Sequence, residues 1–263
     1  GSIGPAADGR IKPDLSHWFD SIYTTAPGAG YTPDFGGTSS ATPVTAGNLG
    51  LIVQMWADNV WETDPQGATV FERQPHASTI KALLINNAQQ YDFTGDTHDL
   101  TRVHQGWGRP SAQVALERAT RSMVVDEEHL LQLDGAMTYQ VAVEPGEAEL
   151  KVTMVYADRA GTTSATIHRI NDVTLKVTSP GGTVYWGNYG LTGNLWSEAG
   201  GAADTINTVE NVFIQNPQAG DWTIEVTATE VNMDVHVETP EDDQDYALIR
   251  HNFTLMMRLP LEK

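Results

Sequence analysis

Apolar residues in the first 122 positions follow a helical period in three separate stretches. In the longest stretch they recur every three or four residues, at Leu49, Ile52, Val53, Trp56 and Val60. This spacing places them on one face of a helix, and that face must be buried. We predict helices over residues 39–60, 77–89 and 111–121, with loop between and before them.

After Arg121 the pattern changes from a helical period to an alternation of apolar and polar residues. Alternation of this kind is typical of half-buried strands, and Pro, Gly, Asn and Asp mark the turns between them. We predict strands at 139–143, 150–156, 173–178, 183–186, 209–214, 222–228 and 246–256. Short alternating strands favour an antiparallel sandwich. The change of period divides the chain into predicted domains of residues 1–122 and 123–263, each long enough to bury a core.

Composition narrows the range of functions. The 263 residues carry a net charge of −19 and contain no cysteine, which excludes disulfides and thiolate metal sites. Such an acidic chain is unsuited to nucleic acid, and its sequence has no apolar run long enough for a membrane span. Residues from 123 onward hold 22 of the 34 acids but only 7 of the 15 bases. We expect most of these acids to be solvated, while some could bind a hard cation.

The candidate chemistry lies at the start of the first predicted helix, in the run Gly37-Thr38-Ser39-Ser40-Ala41-Thr42-Pro43. A turn of small residues presents a serine at a helix N-terminus, where free N–H groups can stabilise an oxyanion. Serine and threonine also occur before helices as ordinary N-caps.

This run resembles the nucleophile segment of the subtilisin-like serine proteases, G-T-S-x-A-x-P. The resemblance implies that Ser39 is the nucleophile, that its N–H and Thr38 help hold the oxyanion, and that Gly37 leaves room for the substrate backbone. Three flanking segments also resemble the family in the expected order, at residues 4–15, 78–84 and 105–116.

The family's other catalytic motifs, D-[TS]-G and H-G-T-H, do not occur in this sequence. No asparagine precedes Ser39 to serve as the family's oxyanion-hole residue. The resemblance therefore implies the C-terminal part of a catalytic domain, whose histidine and aspartate lie upstream. We expect the chain alone to be inactive and to associate with the complementary N-terminal part of that domain. It departs from the family at residues 16–18, where Ser-His-Trp replaces A-P-G, and at Ser40, which replaces a common methionine.

The second region resembles the C-terminal jelly-roll β-barrel of some alkaline subtilases, which is similar to the P-domain of proprotein convertases. The resemblance rests on residues 170–175, 179–183, 209–212 and 216–226. The implied fold class is an incomplete α/β domain of subtilisin type followed by an all-β jelly-roll sandwich. Such jelly rolls often bind structural Ca²⁺, for which Asp172 and Glu210 are candidate ligands. Asn and Asp near strand ends also simply form turns.

Two functions are open at this point. The first is a secreted bacterial serine endopeptidase that acts on proteins or peptides, with no nucleic-acid or membrane partner. The alternative is a non-catalytic binding or adhesion module with a degenerate protease tail. A cluster of Tyr185, Trp186, Tyr189 and Trp196 bears on this choice, since aromatic rings can stack on sugars, although they more often pack a β-core.

Overall fold

The computed structural model describes residues 2–28, 30–95 and 98–253. The first 122 residues contain a hairpin that the sequence pattern does not predict, formed by β1 (Ile22–Ala26) and β2 (Gly30–Phe35). The two strands pair only with each other among the described residues. Their side chains are mostly exposed, so no apolar alternation marks them, and the prediction of a loop here is wrong.

The three predicted helices are confirmed, and each ends three residues earlier than predicted. They are α1 (Thr38–Ala57), α2 (Ala77–Asn86) and, after the short α3 (Arg102–Gln105), α4 (Ala112–Arg118). Helix α1 stops where Asn59 takes a left-handed backbone conformation, at φ 58°. The Ser111 hydroxyl caps α4 by accepting a hydrogen bond from the Val114 N–H.

The described remainder of the chain forms two four-stranded antiparallel sheets. The strands are β3 (Ser122–Asp126), β4 (Ala136–Val143), β5 (Glu149–Val155), β6 (Asp172–Thr178), β7 (Val184–Trp186), β8 (Val209–Gln215), β9 (Gly220–Glu230) and β10 (Ala247–Phe253). One sheet has the order β3-β10-β5-β8 and the other β4-β9-β6-β7. The sequence pattern misses β3. The last predicted strand runs on to residue 256, and its residues 254–256 lie outside the described part.

Side chains from both sheets form one hydrophobic core between them. Strand β9 shows why the alternation is informative, since Trp222, Ile224, Val226 and Ala228 are buried while their neighbours are not. They meet residues of the other sheet, including Val152, Met154 and Leu248. The fold is therefore mixed, with two antiparallel sheets and a few helices.

A second core lies on the outer face of the β3-β10-β5-β8 sheet, where α1, α2 and α4 pack. Leu83 and Ile85 of α2 belong to one cluster with Phe213 and Ile249 of the sheet. Because both faces of this sheet are covered, β5 and β8 are buried along almost their whole length, and the prediction that 150–156 is half-buried is wrong.

The helices differ in how well they are covered. The incomplete subtilisin-type domain that the resemblance implies would leave both α1 and α2 without partners within the chain. For α2 this expectation is wrong, because the sheet supplies its partner. Helix α1 fits it better, since only its C-terminal half joins the core and Leu51 stays 59% exposed.

Candidate active site

The turn before α1 depends on a glycine. Gly37 has φ 80° and ψ −175°, a region of backbone conformation that is essentially confined to glycine. Its N–H donates to the Phe19 carbonyl at 2.6 Å, which fixes the turn against the segment before the hairpin. No atom lies within 4 Å of the position where a Cβ would sit. Backbone conformation, rather than space, therefore requires glycine here.

Two adjacent serines have opposite environments at the start of α1. Ser39 is exposed, and no described group forms a hydrogen bond with its hydroxyl. Ser40 is buried, and its hydroxyl donates to the Gly37 carbonyl at 2.8 Å. The first turn of a helix leaves its N–H groups without helical partners, with a partial positive charge. An accessible hydroxyl thus lies among N–H donors, while its neighbour holds the turn.

The structure brings the predicted residues Gly37, Thr38 and Ser39 together in this one turn. The Thr38 carbonyl accepts the Thr42 hydroxyl at 2.8 Å, a bond inside the helix. Their catalytic roles remain predictions.

The departure at residues 16–18 lies beside this turn, a relation that the sequence does not reveal. The ring of His17 contacts that of Trp18 edge-on, and the Arg109 guanidinium stacks on Trp18 at 4.5 Å. Partial burial, and then the positive charge of Arg109, lower the pKa of His17. Because Phe19 bonds Gly37, this altered segment adjoins the candidate nucleophile.

The two candidate calcium ligands are buried carboxylates, each with one oxygen that accepts no hydrogen bond. Asp172 Oδ2 accepts the Thr229 hydroxyl at 2.8 Å, and Glu210 Oε2 accepts the Leu175 N–H at 2.9 Å. Asp172 Oδ1 and Glu210 Oε1 have no hydrogen-bond partner. Burial raises the pKa of both groups, and for Glu210 the nearby charge of Asp204 raises it further.

Glu210 Oε1 suits a hard cation, whereas Asp172 Oδ1 already faces the Arg169 guanidinium at 3.8 Å. Within the described ranges, no group of three or more His, Asp or Glu side chains is placed to hold a metal ion. Asp204 instead binds the N–H groups of Ile206 and Asn207, as a turn-forming aspartate does. Calcium binding therefore remains a prediction.

The aromatic cluster does not form one exposed platform. The ring centroid of Tyr185 lies 6.0 Å from that of Trp222, in the core between the two sheets. Trp196 packs against the second core, between the helices and the β3-β10-β5-β8 sheet. Tyr189 remains 39% exposed. Core packing thus accounts for two of the four rings, which weakens the case for a sugar-binding module.

Comparison with known proteins supports the family resemblance. The sequence model of the subtilase family, Peptidase_S8, matches residues 2–108. The serine protease/ABC transporter B family protein tagD of Dictyostelium discoideum is 25% identical over 282 residues. That match covers 81% of this chain but only 15% of the curated relative, so the chain spans a small part of that protein.

Solved structures are similar to the chain only at low superposition scores. The Aeromonas sobria serine protease, in complex with its chaperone, gives a TM-score of 0.26 at 15% identity, covering 85% of this chain and 45% of that one. The Bacillus licheniformis lipase BlEst2 in its propeptide form gives 0.28 at 18% identity, covering 51% and 22%. Scores this low carry no structural argument.

The subtilase match contains the whole turn from Gly37 to Pro43 and both serines. No helix in the described residues is long and apolar enough to cross a bilayer. The resemblance is thus supported by a family model: residues 2–108 of this chain match the sequence model of the subtilase family.

Proposed function

We propose that the chain is part of a secreted serine endopeptidase in which Ser39 attacks the scissile carbonyl of a protein or peptide substrate. One observation carries this proposal. An exposed serine hydroxyl lies in the first turn of α1, directly after a glycine with φ 80°, inside the segment that matches the subtilase family.

The turn supplies two parts of the chemistry of acyl transfer. Ser39 Oγ bonds to the carbonyl carbon while a base removes its proton, and the oxyanion accepts hydrogen bonds from N–H groups of the first turn. The base then protonates the amine as the C–N bond breaks and an acyl-enzyme remains. Water attacks that ester by the same route and releases the acid.

The base and its orienting carboxylate are proposed to come from subtilase sequence upstream of residue 1. Their motifs are absent from this sequence, and no described histidine bonds Ser39. Several large apolar side chains in the first 122 residues are exposed, which supports a partner that normally covers them. They include Trp18, Phe19, Tyr23, Tyr31 and Leu51. The complementary N-terminal part of the catalytic domain would cover such a surface.

We propose that residues 123–263 form a jelly roll that braces the catalytic part. Eight antiparallel strands in two sheets, with orders β3-β10-β5-β8 and β4-β9-β6-β7, support this assignment. The packing of α2 on β5 and β10 supports the bracing role.

Peptide hydrolysis by a longer protein that includes the upstream catalytic sequence tests the proposal. We expect Ser39→Ala to lower kcat by at least about a thousandfold, because the covalent route is lost. Thr42→Ala is the matched control, since it removes another exposed hydroxyl from the same helix and should leave hydrolysis nearly unchanged. Full activity in the Ser39→Ala protein would refute the assignment.

A further inference from the structure

A cavity of about 440 Å³ opens beside the loop that follows β5. None of its lining residues belongs to the turn before α1. Three of the chain's ten arginines line it, Arg10, Arg159 and Arg169, together with His168. Such a concentration of cationic side chains is unexpected in a chain with a net charge of −19.

The guanidinium groups of Arg159 and Arg10 each use some of their N–H donors to hold their position and leave the others free. Arg159 donates from Nε to the Asp234 carbonyl at 2.7 Å and from Nη2 to the Val235 carbonyl at 3.0 Å. Arg10 donates from Nε to Asp8 Oδ2 at 2.7 Å. Nη1 of Arg159 and both terminal nitrogens of Arg10 have no protein acceptor, and none of them is a buried unpartnered atom. These donors are therefore accessible and already positioned.

Arg169 is the most enclosed of the three, with a side chain only 8% exposed. Its Nε donates to the Thr205 carbonyl at 2.6 Å, and its Nη1 donates to Glu230 at 3.1 Å and lies 3.8 Å from Asp172 Oδ1. Its Nη2 has no protein acceptor and is not a buried unpartnered atom. A nearly buried guanidinium with an accessible donor is well suited to recognise an oxyanion.

The one carboxylate that lines the cavity is occupied by the backbone. Asp158 accepts the N–H groups of Arg159 at 2.9 Å, Ile170 at 2.5 Å and Asn171 at 3.0 Å. These bonds spread its charge over the loop backbone and use both of its oxygens. Among the lining residues the arginines outnumber this carboxylate by three to one, while the carboxylates that pair with Arg10 and Arg169 lie outside the lining.

We propose that this cavity binds a phosphate group, as the free ion or as a small organic phosphate monoester. Guanidinium forks match the oxygen geometry of phosphate, and three of them can share a doubly charged group. A water molecule takes about 30 Å³ of liquid, so the cavity has room for an organic substituent beyond the phosphate. This proposal does not rest on the proposed protease function, because none of the cavity residues belongs to the turn at Ser39.

Bound phosphate would also join two distant parts of the sequence. Arg10 belongs to the subtilase segment, whereas Arg159 and Arg169 belong to the β-region. The two are already in contact here, since the Ile11 N–H donates to Asn207 Oδ1 at 2.8 Å. A ligand that bridges them should stabilise the folded chain by mass action.

Calorimetric titration and thermal melting of the 263-residue chain test this site. We expect inorganic phosphate to bind saturably and raise Tm, when compared with chloride at the same ionic strength. Arg10→Gln should weaken phosphate binding about tenfold or more, because a charge-assisted contact is lost. Since Asp8 is left without its partner, Asp8→Asn/Arg10→Gln serves as a second variant and should show the same loss.

Arg73→Gln is the matched control, because Arg73 is likewise anchored through Nε, in its case to the Gly67 carbonyl, but lies on another surface. It should bind phosphate like the original protein. Tighter binding of glycerol phosphate than of inorganic phosphate would identify the monoester, and the reverse order would identify the free ion. Equal effects of phosphate and chloride, or unchanged binding in both Arg10 variants, would overturn the proposal.

Discussion

At Gly37 the requirement for glycine comes from the backbone itself. Its φ of 80° and ψ of −175° would strain any residue with a Cβ, although the surrounding space is open. The family resemblance implies that glycine leaves room here for the substrate backbone, which stays a prediction. The structure adds a second reason, which is the shape of the turn that precedes α1.

A pair of glycine substitutions isolates the backbone strain at Gly37, because an added Cβ meets no atom at either position. We expect Gly37→Ala to lower the free energy of unfolding by about 1–3 kcal/mol. Gly47→Ala, inside α1 and also with open space around it, should raise that free energy by about 0.5–1 kcal/mol. Urea unfolding of both variants measures the difference. Equal effects from the two substitutions would contradict the strain argument.

Glu210 is a buried carboxyl whose pKa is raised by burial and by the neighbouring acids. The folded state therefore holds its proton more tightly than the unfolded state, and stability falls as pH rises above about 4.5 towards the folded pKa. Glu210→Gln mimics the protonated acid. In the presence of chelator, its stability relative to the original protein should increase with pH, by up to about 1.4 kcal/mol per pH unit.

Urea unfolding at pH 5, 7 and 8.5 measures this trend, with Glu117→Gln on the surface of α4 as the control. A difference that does not change with pH would show that the carboxylate is not penalised. Added Ca²⁺ tests the metal prediction on the same proteins. It should raise Tm of the original protein and not that of Glu210→Gln, and an equal rise in both would remove Glu210 from the ligand set.

At the scale of elements, α2 joins the segment that matches the subtilase model to the β-sheets. Asn86 at its end is fully buried, and its amide donates to Thr153 Oγ1 at 2.9 Å and to the Ile249 carbonyl at 3.3 Å. Its Oδ1 lies 2.5 Å from Nδ1 of the buried His251. One side chain thus bonds both central strands of the sheet beneath it.

Asn86 and its neighbour Asn87 form a natural comparison. Asn87 is equally buried, but its amide bonds only the Leu83 carbonyl of its own helix. We expect Asn86→Ala to cost about 3 kcal/mol of unfolding free energy, because it leaves several buried partners unpaired, and Asn87→Ala about 1 kcal/mol. Unfolding curves followed by circular dichroism measure both. A larger loss from Asn87→Ala would show that the α2–sheet contact is not held by this network.

The elements also show what the sequence pattern can and cannot predict. Strand β9 has one face on the core and one on solvent, so its alternation is visible. Strand β5 is covered on both faces, because helices pack on the outside of its sheet, and nothing local to 149–155 encodes that cover. The hairpin β1–β2 is missed for the opposite reason. Neither of its faces packs on a core, so its sequence shows no apolar alternation.

At the scale of the whole molecule, the predicted protease half and β-half share a core. The helical segment packs its apolar residues onto a sheet formed by residues after 121, which a reading of two separate domains does not anticipate. The turn before α1 was predictable because seven consecutive residues, Gly37 to Pro43, encode it. The arginine cavity was not, because Arg10 lies about 150 residues from Arg159 and Arg169 and only the fold brings them together.

We propose for the whole molecule one chemical role, that of Ser39 as a nucleophile whose general base comes from sequence upstream of residue 1. Its most direct test is to treat the longer protein, with its upstream catalytic residues, with a fluorophosphonate and to map the adduct by mass spectrometry. We predict a single adduct on Ser39, which Ser39→Ala abolishes and Thr42→Ala preserves. An adduct on another serine, or labelling that persists in Ser39→Ala, would contradict the account.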